Sequence, residues 1–253
     1  MNQFDYRTDY ERNLPHYQPP GATFFVTFRL AGSIPREHLR RLKAEAEAGE
    51  ARIREQTQGP DQLQALYEDR KRQFGRWDDA LDRATNGPYW LRDPRIAAVV
   101  DEALHYRDGR VYELIVFGIM PNHVHAVFTP RPRPDGTYEP LQAILHSLKR
   151  HTARHGNTLL GREGAFWQHE SYDHYVRNPD ELDRIVWYVL NNPVKAGLAA
   201  SWEEWPWSWY RWRDLPNRST EWRDLPNRST EWRDLPNRST EWRDLPNRAT
   251  GEA

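Results

Sequence analysis

Two histidines one residue apart, in Met120-Pro121-Asn122-His123-Val124-His125-Ala126-Val127-Phe128, open the chemistry of this chain of 253 residues. The stretch follows an apolar run, Val111 to Ile119, and alternates from Asn122 onward. Successive side chains of a strand point to opposite faces, so His123 and His125 share one face while Val124, Ala126 and Phe128 share the other. Two imidazoles side by side on a rigid strand are half of a metal site. An isolated His-x-His is equally a pair of half-exposed strand histidines, so a second constellation must carry the reading. Downstream, Arg184, Tyr188, Asn192 and Lys195 recur at spacings of three or four. They fall on one side of a helix, away from the stripe Leu182, Ile185 and Val189. Together the two sets have chemical sense. A phenolate oxygen attacks a phosphorus, while a divalent metal held by two imidazoles and an amide oxygen polarises the scissile phosphate. Because an unperturbed tyrosine has a pKa of about 10, the metal's charge is needed to make it a nucleophile at neutral pH.

The elements that must position these residues are readable in order. Thr23 to Leu30 is aromatic and β-branched and ends at Gly32 and Ser33, which predicts the first strand. Residues 36–83 are rich in Ala, Glu, Arg, Lys and Gln with a Gly59-Pro60 break, which predicts two charged helices joined by a turn. Asp93-Pro94 supplies an N-cap and a first-turn proline for a helix over 94–107, whose stripe is Ile96, Val99, Val100, Ala103 and Leu104. The strand 111–119 and the histidine strand should pair as a hairpin. A helix over 140–154 buries Leu141, Ile144, Leu145 and Leu148 and gathers His146, Lys149, Arg150 and Arg154 on another side. A short strand is expected within 165–176. Asn178-Pro179-Asp180 starts the last helix, and Pro193 and Gly197 stop it. The fold class expected is α+β: a ferredoxin-like, four-stranded antiparallel sheet with helices on one face, interrupted by a helical insertion.

Composition bounds the function. The formal net charge is -1, so any nucleic-acid surface must be local. The absence of cysteine excludes disulfides, a thiol nucleophile and Cys-ligated zinc. No apolar run is long enough to cross a bilayer and residues 1–20 have no apolar leader, so a cytoplasmic protein is expected. Three segments are expected: a Pro-rich arm at 1–20, a domain at 21–200, and a Trp-rich tail at 201–253. In the tail a ten-residue unit recurs, and Glu221–Thr230 and Glu231–Thr240 are identical. A unit with one Trp, one Leu and one Pro buries little alone, so a flexible tail from tandem duplication is expected. An array that stacks on single-stranded bases is the alternative.

Met-Pro-Asn-His-Val-His at 120–125, with Tyr-x-x-x-Asn-Pro-Val-Lys-x-Gly at 188–197, resembles the REP-associated tyrosine transposases of the HUH single-tyrosine superfamily. The likeness extends through Trp90-Leu91-Arg92-Asp93-Pro94, Leu148-Lys149-Arg150 and Phe166-Trp167-Gln168. The resemblance implies that His123 and His125 bind Mg²⁺ or Mn²⁺, that Asn192 is the third ligand, and that Tyr188 is the nucleophile. It implies cleavage of single-stranded DNA beside short palindromic hairpins, through a 5′-phosphotyrosine intermediate and strand transfer, by a monomer or homodimer. For DNA contact, Lys149, Arg150 and Arg154 would meet phosphates and Trp167 would stack on an unpaired base. Glu170, Asp173 and His174 lie beside this set. Two other classes use the same residues differently: a metal-dependent phosphodiesterase with a water nucleophile, and a noncatalytic hairpin-binding protein.

Overall fold

The computed structural model describes residues 9–11, 15–17, 19–82 and 87–212. The repeats past Trp212, and with them the expectation of a flexible tail, lie outside the described residues. A short antiparallel pair, β1 (Asp9–Glu11) and β2 (Pro15–Tyr17), precedes β3 (Phe24–Arg29). The helices α1 (Arg36–Gln56) and α2 (Gly59–Asp82) follow, then α3 (Pro94–Arg107). The chain continues through β4 (Tyr112–Ile119), β5 (His123–Pro130), α4 (Leu141–Leu159), β6 (Tyr172–Tyr175), α5 (Pro179–Lys195) and β7 (Ser208–Tyr210).

Local signals start and stop these elements as the side chains dictate. Asp93 accepts a hydrogen bond from the Arg95 amide at 3.0 Å and Asn178 accepts one from the Glu181 amide at 2.8 Å, each followed by a first-turn proline. Gly59, at φ +60, makes the reversal between α1 and α2 that a β-carbon would disfavour. Helix α5 runs through Pro193 to Lys195 instead of stopping at the proline. Proline in the last turn forfeits only the bond to the Val189 carbonyl, which the end of a helix tolerates.

The sheet is antiparallel, as expected, but has five strands in the order β6-β3-β5-β4-β7, not four. The added edge comes from the Trp-rich segment assigned to the tail: Tyr210, Trp209 and Ser208 pair with Val116, Phe117 and Gly118. Helices cover both faces, not one. Phe24, Val26, Phe28, Val124, Ala126 and Phe128 pack against α3 and α4 through Ile96, Val100, Leu104, Ile144 and Leu148. On the opposite face Phe25 and Val127 pack against Ile185, Val186 and Val189 of α5 and Phe74 of α2. Strand alternation divides β3 and β5 into an apolar face and a mixed one, where Phe25 and Val127 alternate with Thr27, Arg29, His123 and His125, and the buried residues of both faces need a cover. Each such large side chain contributes roughly 1.5–3 kcal/mol when fully buried.

The histidine face carries the second cover. Gly118 lies across from His125 in the β4–β5 register, and a β-carbon there would stand 3.2 Å from the Val189 carbonyl oxygen. The glycine therefore lets α5 approach the sheet closely enough to hold Tyr188 over His125, with ring centroids 5.5 Å apart. Helix α2 docks on the same face. Phe74 meets Phe25 edge-on at 5.3 Å and Tyr172 at 4.2 Å. Further along, the Tyr67 hydroxyl donates to Glu181 at the start of α5, which also meets His174 Nε2 at 3.1 Å and accepts from the Arg177 amide at 2.8 Å.

Two outcomes follow from this packing. Gly118→Val should destabilise the fold by about 1–3 kcal/mol, read by denaturant unfolding, because the side chain has no space against α5. Burial alone would raise the Glu181 carboxyl, but bonds and charge from His174, Tyr67 and the Arg177 amide hold it down at about 2. A carboxyl whose folded pKa lies below its unfolded value of about 4.5 stabilises the fold above that pH. Its contribution should fade as pH falls from about 4.5 towards 2, and the melting temperature of Glu181→Gln should change less across that window.

Candidate metal and tyrosine site

His123 and His125 face α5 and α2, and both rings are buried, at 1% and 0% exposure. Their Nε2 atoms stand 3.0 Å apart. The remaining hydrogen bonds state which nitrogen is free. Asn122 Nδ2 donates to the Leu81 carbonyl at 2.9 Å, which fixes the amide so that its oxygen faces His123 Nδ1 at 2.7 Å. An amide oxygen only accepts, so His123 carries its proton on Nδ1 and presents a lone pair at Nε2. His125 Nδ1 is 2.7 Å from the Thr27 hydroxyl, which can accept in the same way. Burial, and then His125, hold the His123 pKa down at about 3, so the ring is neutral at any physiological pH. Two imidazoles with converging Nε2 atoms, each oriented by a partner on the far nitrogen, are the arrangement a metal ligand pair requires.

A third residue completes the set. Asp78, near the end of α2 and only 1% exposed, places Oδ1 3.2 Å from His125 Nε2 and 3.9 Å from His123 Nε2. Asp78, His123 and His125 each offer a ligand atom within 4.8 Å of the others, the one such group among the described residues. Burial would raise the Asp78 carboxyl, but the two histidines and the Tyr188 hydroxyl keep it well below the ordinary carboxylate range. It is therefore a buried anion. One ammonium, that of Lys195, lies 3.9 Å from Asp78, 3.2 Å from Asp79 and 3.1 Å from Asp82. Three carboxylates against one ammonium leave an acidic cluster beside two nitrogen ligands, which suits a divalent cation. Buried Asn192 Oδ1 accepts no hydrogen bond, a further oxygen whose need a cation or its water would meet.

Tyr188 and Asn192 reach the same carboxylate from α5. The Tyr188 hydroxyl donates to Asp78 Oδ2, and Asn192 Nδ2 lies 3.4 Å from that oxygen. Burial, then Asp78, push the Tyr188 phenol well above its ordinary pKa, so in this arrangement it is held protonated. The four residues singled out in the sequence at this site, His123, His125, Tyr188 and Asn192, thus converge, but around an aspartate the sequence reading did not select. Its signal was faint: Phe74, Asp78 and Leu81 share one buried side of α2, and a carboxylate between two apolar residues of a buried stripe is unusual.

The expected DNA-contact residues fare differently. Arg150 and Arg154 are exposed on α4. Lys149 donates to the carbonyl oxygens of Gln168 and His169 at 2.9 and 3.1 Å, and burial, then Arg29, lower its pKa to about 7. Its ammonium ties the 168–170 segment to α4, so it is not a free surface cation. Trp167 does not present an open face. It is 7% exposed, donates from Nε1 to Thr152 at 2.8 Å and packs edge-on against Phe28 at 4.9 Å. Both side chains, with Arg150, border a cavity of about 760 Å³ between the α1–α2 hairpin and the sheet, which Arg29, Trp77 and Asp78 also line. Glu170 pairs with Lys43 at 3.3 Å, Asp173 and His174 lie on β6, and His174 is engaged with Glu181. No helix among the described residues is long and apolar enough to cross a membrane.

No family model matches the chain. It is similar to a Haemophilus influenzae protein provisionally named a REP-associated tyrosine transposase, 27% identical over 103 residues, 38% of this chain and 58% of that protein. A REP-associated tyrosine transposase of Escherichia coli is 26% identical over 106 residues, 42% of this chain and 58% of its own length. The chain thus spans under two thirds of the curated relatives it matches. A solved structure of a REP-associated tyrosine transposase bound to a REP hairpin aligns with TM-score 0.43 and 18% identity, covering 79% of this chain and 80% of the other. The resemblance read from the two motifs is borne out by these relatives.

The orienting role of Asn122 is open to direct test. Asn122→Ala removes the acceptor that keeps the His123 proton on Nδ1. It should weaken Mn²⁺ binding by about 10–100-fold, measured by calorimetry, while the protein stays folded.

Proposed function

We propose, from its likeness to the REP-associated tyrosine transposases, that this chain is a divalent-metal-dependent tyrosine endonuclease and strand transferase acting on single-stranded DNA beside REP-type hairpins. The observation that carries the reading is the convergence of Tyr188 with His123 and His125. Residues 63 positions apart in sequence (188 - 125 = 63) meet at one buried carboxylate, Asp78, which the phenol and both imidazole Nε2 atoms face. No cysteine exists to serve as nucleophile.

The chemistry assigned to these residues is a displacement at phosphorus. Tyr188 Oη forms a bond to the phosphorus of a phosphodiester as the bond to the 3′-oxygen breaks, leaving a 5′-phosphotyrosine and a free 3′-hydroxyl. Attack by another 3′-hydroxyl reverses the step and joins a new strand, so no nucleotide is hydrolysed. A divalent ion, when bound, withdraws charge from the non-bridging phosphate oxygens and lowers the phenol pKa. His123 and His125, preset by Asn122 and Thr27, would hold that ion, with Asn192 and Asp78 as the oxygen donors at hand. In the DNA-free arrangement Asp78 also holds the Tyr188 hydroxyl, which donates to its Oδ2. On the strand side, Arg29 and Arg150 border the cavity beside the site and supply positive charge for a backbone that carries one negative charge per nucleotide.

One observation favours a second reading. The phenol of Tyr188 is held protonated by its burial and by Asp78, so a water on the same ion could attack in its place, giving a phosphodiesterase. The two readings part in one assay. Purified protein with labelled hairpin DNA and Mn²⁺ should give a covalent protein–DNA adduct on a denaturing gel. Tyr188→Phe should abolish the adduct, and His123→Ala/His125→Ala should lower the rate by at least about a thousandfold. Cleavage that persists in Tyr188→Phe selects the water mechanism, and binding without cleavage in the wild-type protein selects a noncatalytic hairpin binder.

A further inference from the structure

The α1–α2 hairpin enters the site only through α2, and the residue it delivers there is charged. Asp78 Oδ1 lies beside both imidazole Nε2 atoms, at 3.2 and 3.9 Å, whereas the contact of Asn192 with the cluster runs through Nδ2 to Asp78 Oδ2, on the other oxygen of the carboxylate. Asp78 thus meets the imidazoles through one oxygen and Asn192 through the other. A hard divalent ion binds an anionic oxygen more strongly than a neutral amide, and two imidazoles alone are a poor set for Mg²⁺. The charge excess of Asp78, Asp79 and Asp82 over Lys195 has the sign that a cation between Asp78 and the histidines would neutralise. Buried Asn192 Oδ1, which accepts no hydrogen bond, is an independent mark of a missing positive partner beside the cluster.

We infer that Asp78 is the third protein ligand of the ion, so that ion binding fastens the α1–α2 hairpin onto the sheet. This rests on the metal-site reading above and adds to it a mobile ligand. The consequence is mechanical. His123, His125 and Asp78 are at most 1% exposed, so a phosphodiester reaches them only when α2 moves away. Beside the apolar seat of Phe74 against Phe25 and Tyr172, α2 is held near the site by polar ties: Asp78 to the cluster, the Leu81 carbonyl to Asn122, and Asp79 and Asp82 to Lys195. Polar ties can be exchanged for others as DNA enters, whereas an apolar seam would have to be exposed. Leu66, Phe74 and Leu81 supply the apolar remainder that returns the helix to its seat. The hairpin thus acts as a clamp that the ion closes and the DNA strand opens, the same carboxylate releasing Tyr188 as it leaves.

Two measurements on the full chain with Mn²⁺ alone test this without reference to cleavage. Calorimetry should show affinity falling by at least about tenfold in Asp78→Asn and Asp78→Ala, by no more than a few-fold in Asn192→Ala, and beyond detection in His123→Ala/His125→Ala. Hydrogen exchange should show saturating Mn²⁺ slowing residues 59–82 in the wild-type chain, and not in Asp78→Asn. Wild-type affinity in Asp78→Asn, tighter binding in Asp78→Ala, or unchanged exchange of 59–82 in the Mn²⁺-saturated wild type would each overturn the inference. The exchange experiment needs no variant, so a folding defect cannot mask the answer. If the double histidine variant binds Mn²⁺ as the wild type does, it is the metal site itself that fails, a separate result.

Discussion

Everything in this site turns on one carboxylate buried among groups that cannot neutralise it fully. Asp78 is enclosed by two imidazoles, a phenol and an amide, and the nearest ammonium is shared with two other aspartates. A lone buried carboxylate would ordinarily take up a proton to escape the cost of desolvation. Here neighbouring dipoles and imidazoles hold it ionised, and the charge is kept available for a cation. Its position also explains the state of Tyr188. The Tyr188 phenol is held by the anion that raises its pKa, so in the proposed reaction holding and activation are separate events, and the second needs positive charge.

That carboxylate is positioned by the sheet's two-sided burial. Were the sheet solvated on one face, the histidine pair would face water and α2 would have nothing to rest on. Phe25 and Val127 lie on the histidine face and are buried there, and α5 and α2 provide the cover. Gly118 sets the height of α5, and Asn122 sets two things at once. Its oxygen fixes the tautomer of His123, and its Nδ2 holds the last turn of α2 through Leu81. The turn before the histidine strand is thereby part of the metal chemistry and of the attachment of the helix that brings Asp78.

What could be read from the sequence was what repeats locally. The period of two put His123 and His125 on one face, and spacings of three and four put Tyr188 and Asn192 on one side of a helix, both independent of tertiary context. Caps at Asp93 and Asn178 and the break at Gly59 located the helices for the same reason. Asp78 could not be read this way, because an acid on a charged helix is usually solvated and its contacts here lie 45 or more positions away in sequence (123 - 78 = 45). Lys149 and Trp167 show the converse error. Both are residue types suited to DNA, yet one bonds to a neighbouring loop's carbonyls and the other fills the core. The second cover of the sheet was missed because Thr27, Arg29, His123 and His125 give that face a polar pattern, which by itself does not call for a cover.

The pairing of β7 bears on the repeats in a way their composition does not suggest. The first ten-residue copy opens with Arg211, whose amide donates to the Ile115 carbonyl and whose guanidinium meets the Leu114 carbonyl and Asp108. Each later copy has glutamate at that place: Glu221, Glu231 and Glu241. A glutamate would set like charge against Asp108 and Glu113, so the later copies cannot substitute for the first. The sheet edge therefore recognises one copy by charge. Slippage during replication of the coding DNA could lengthen or shorten the array by tens of residues without disturbing the edge strand, which leaves copy number free to drift while the sheet and its helices stay constant.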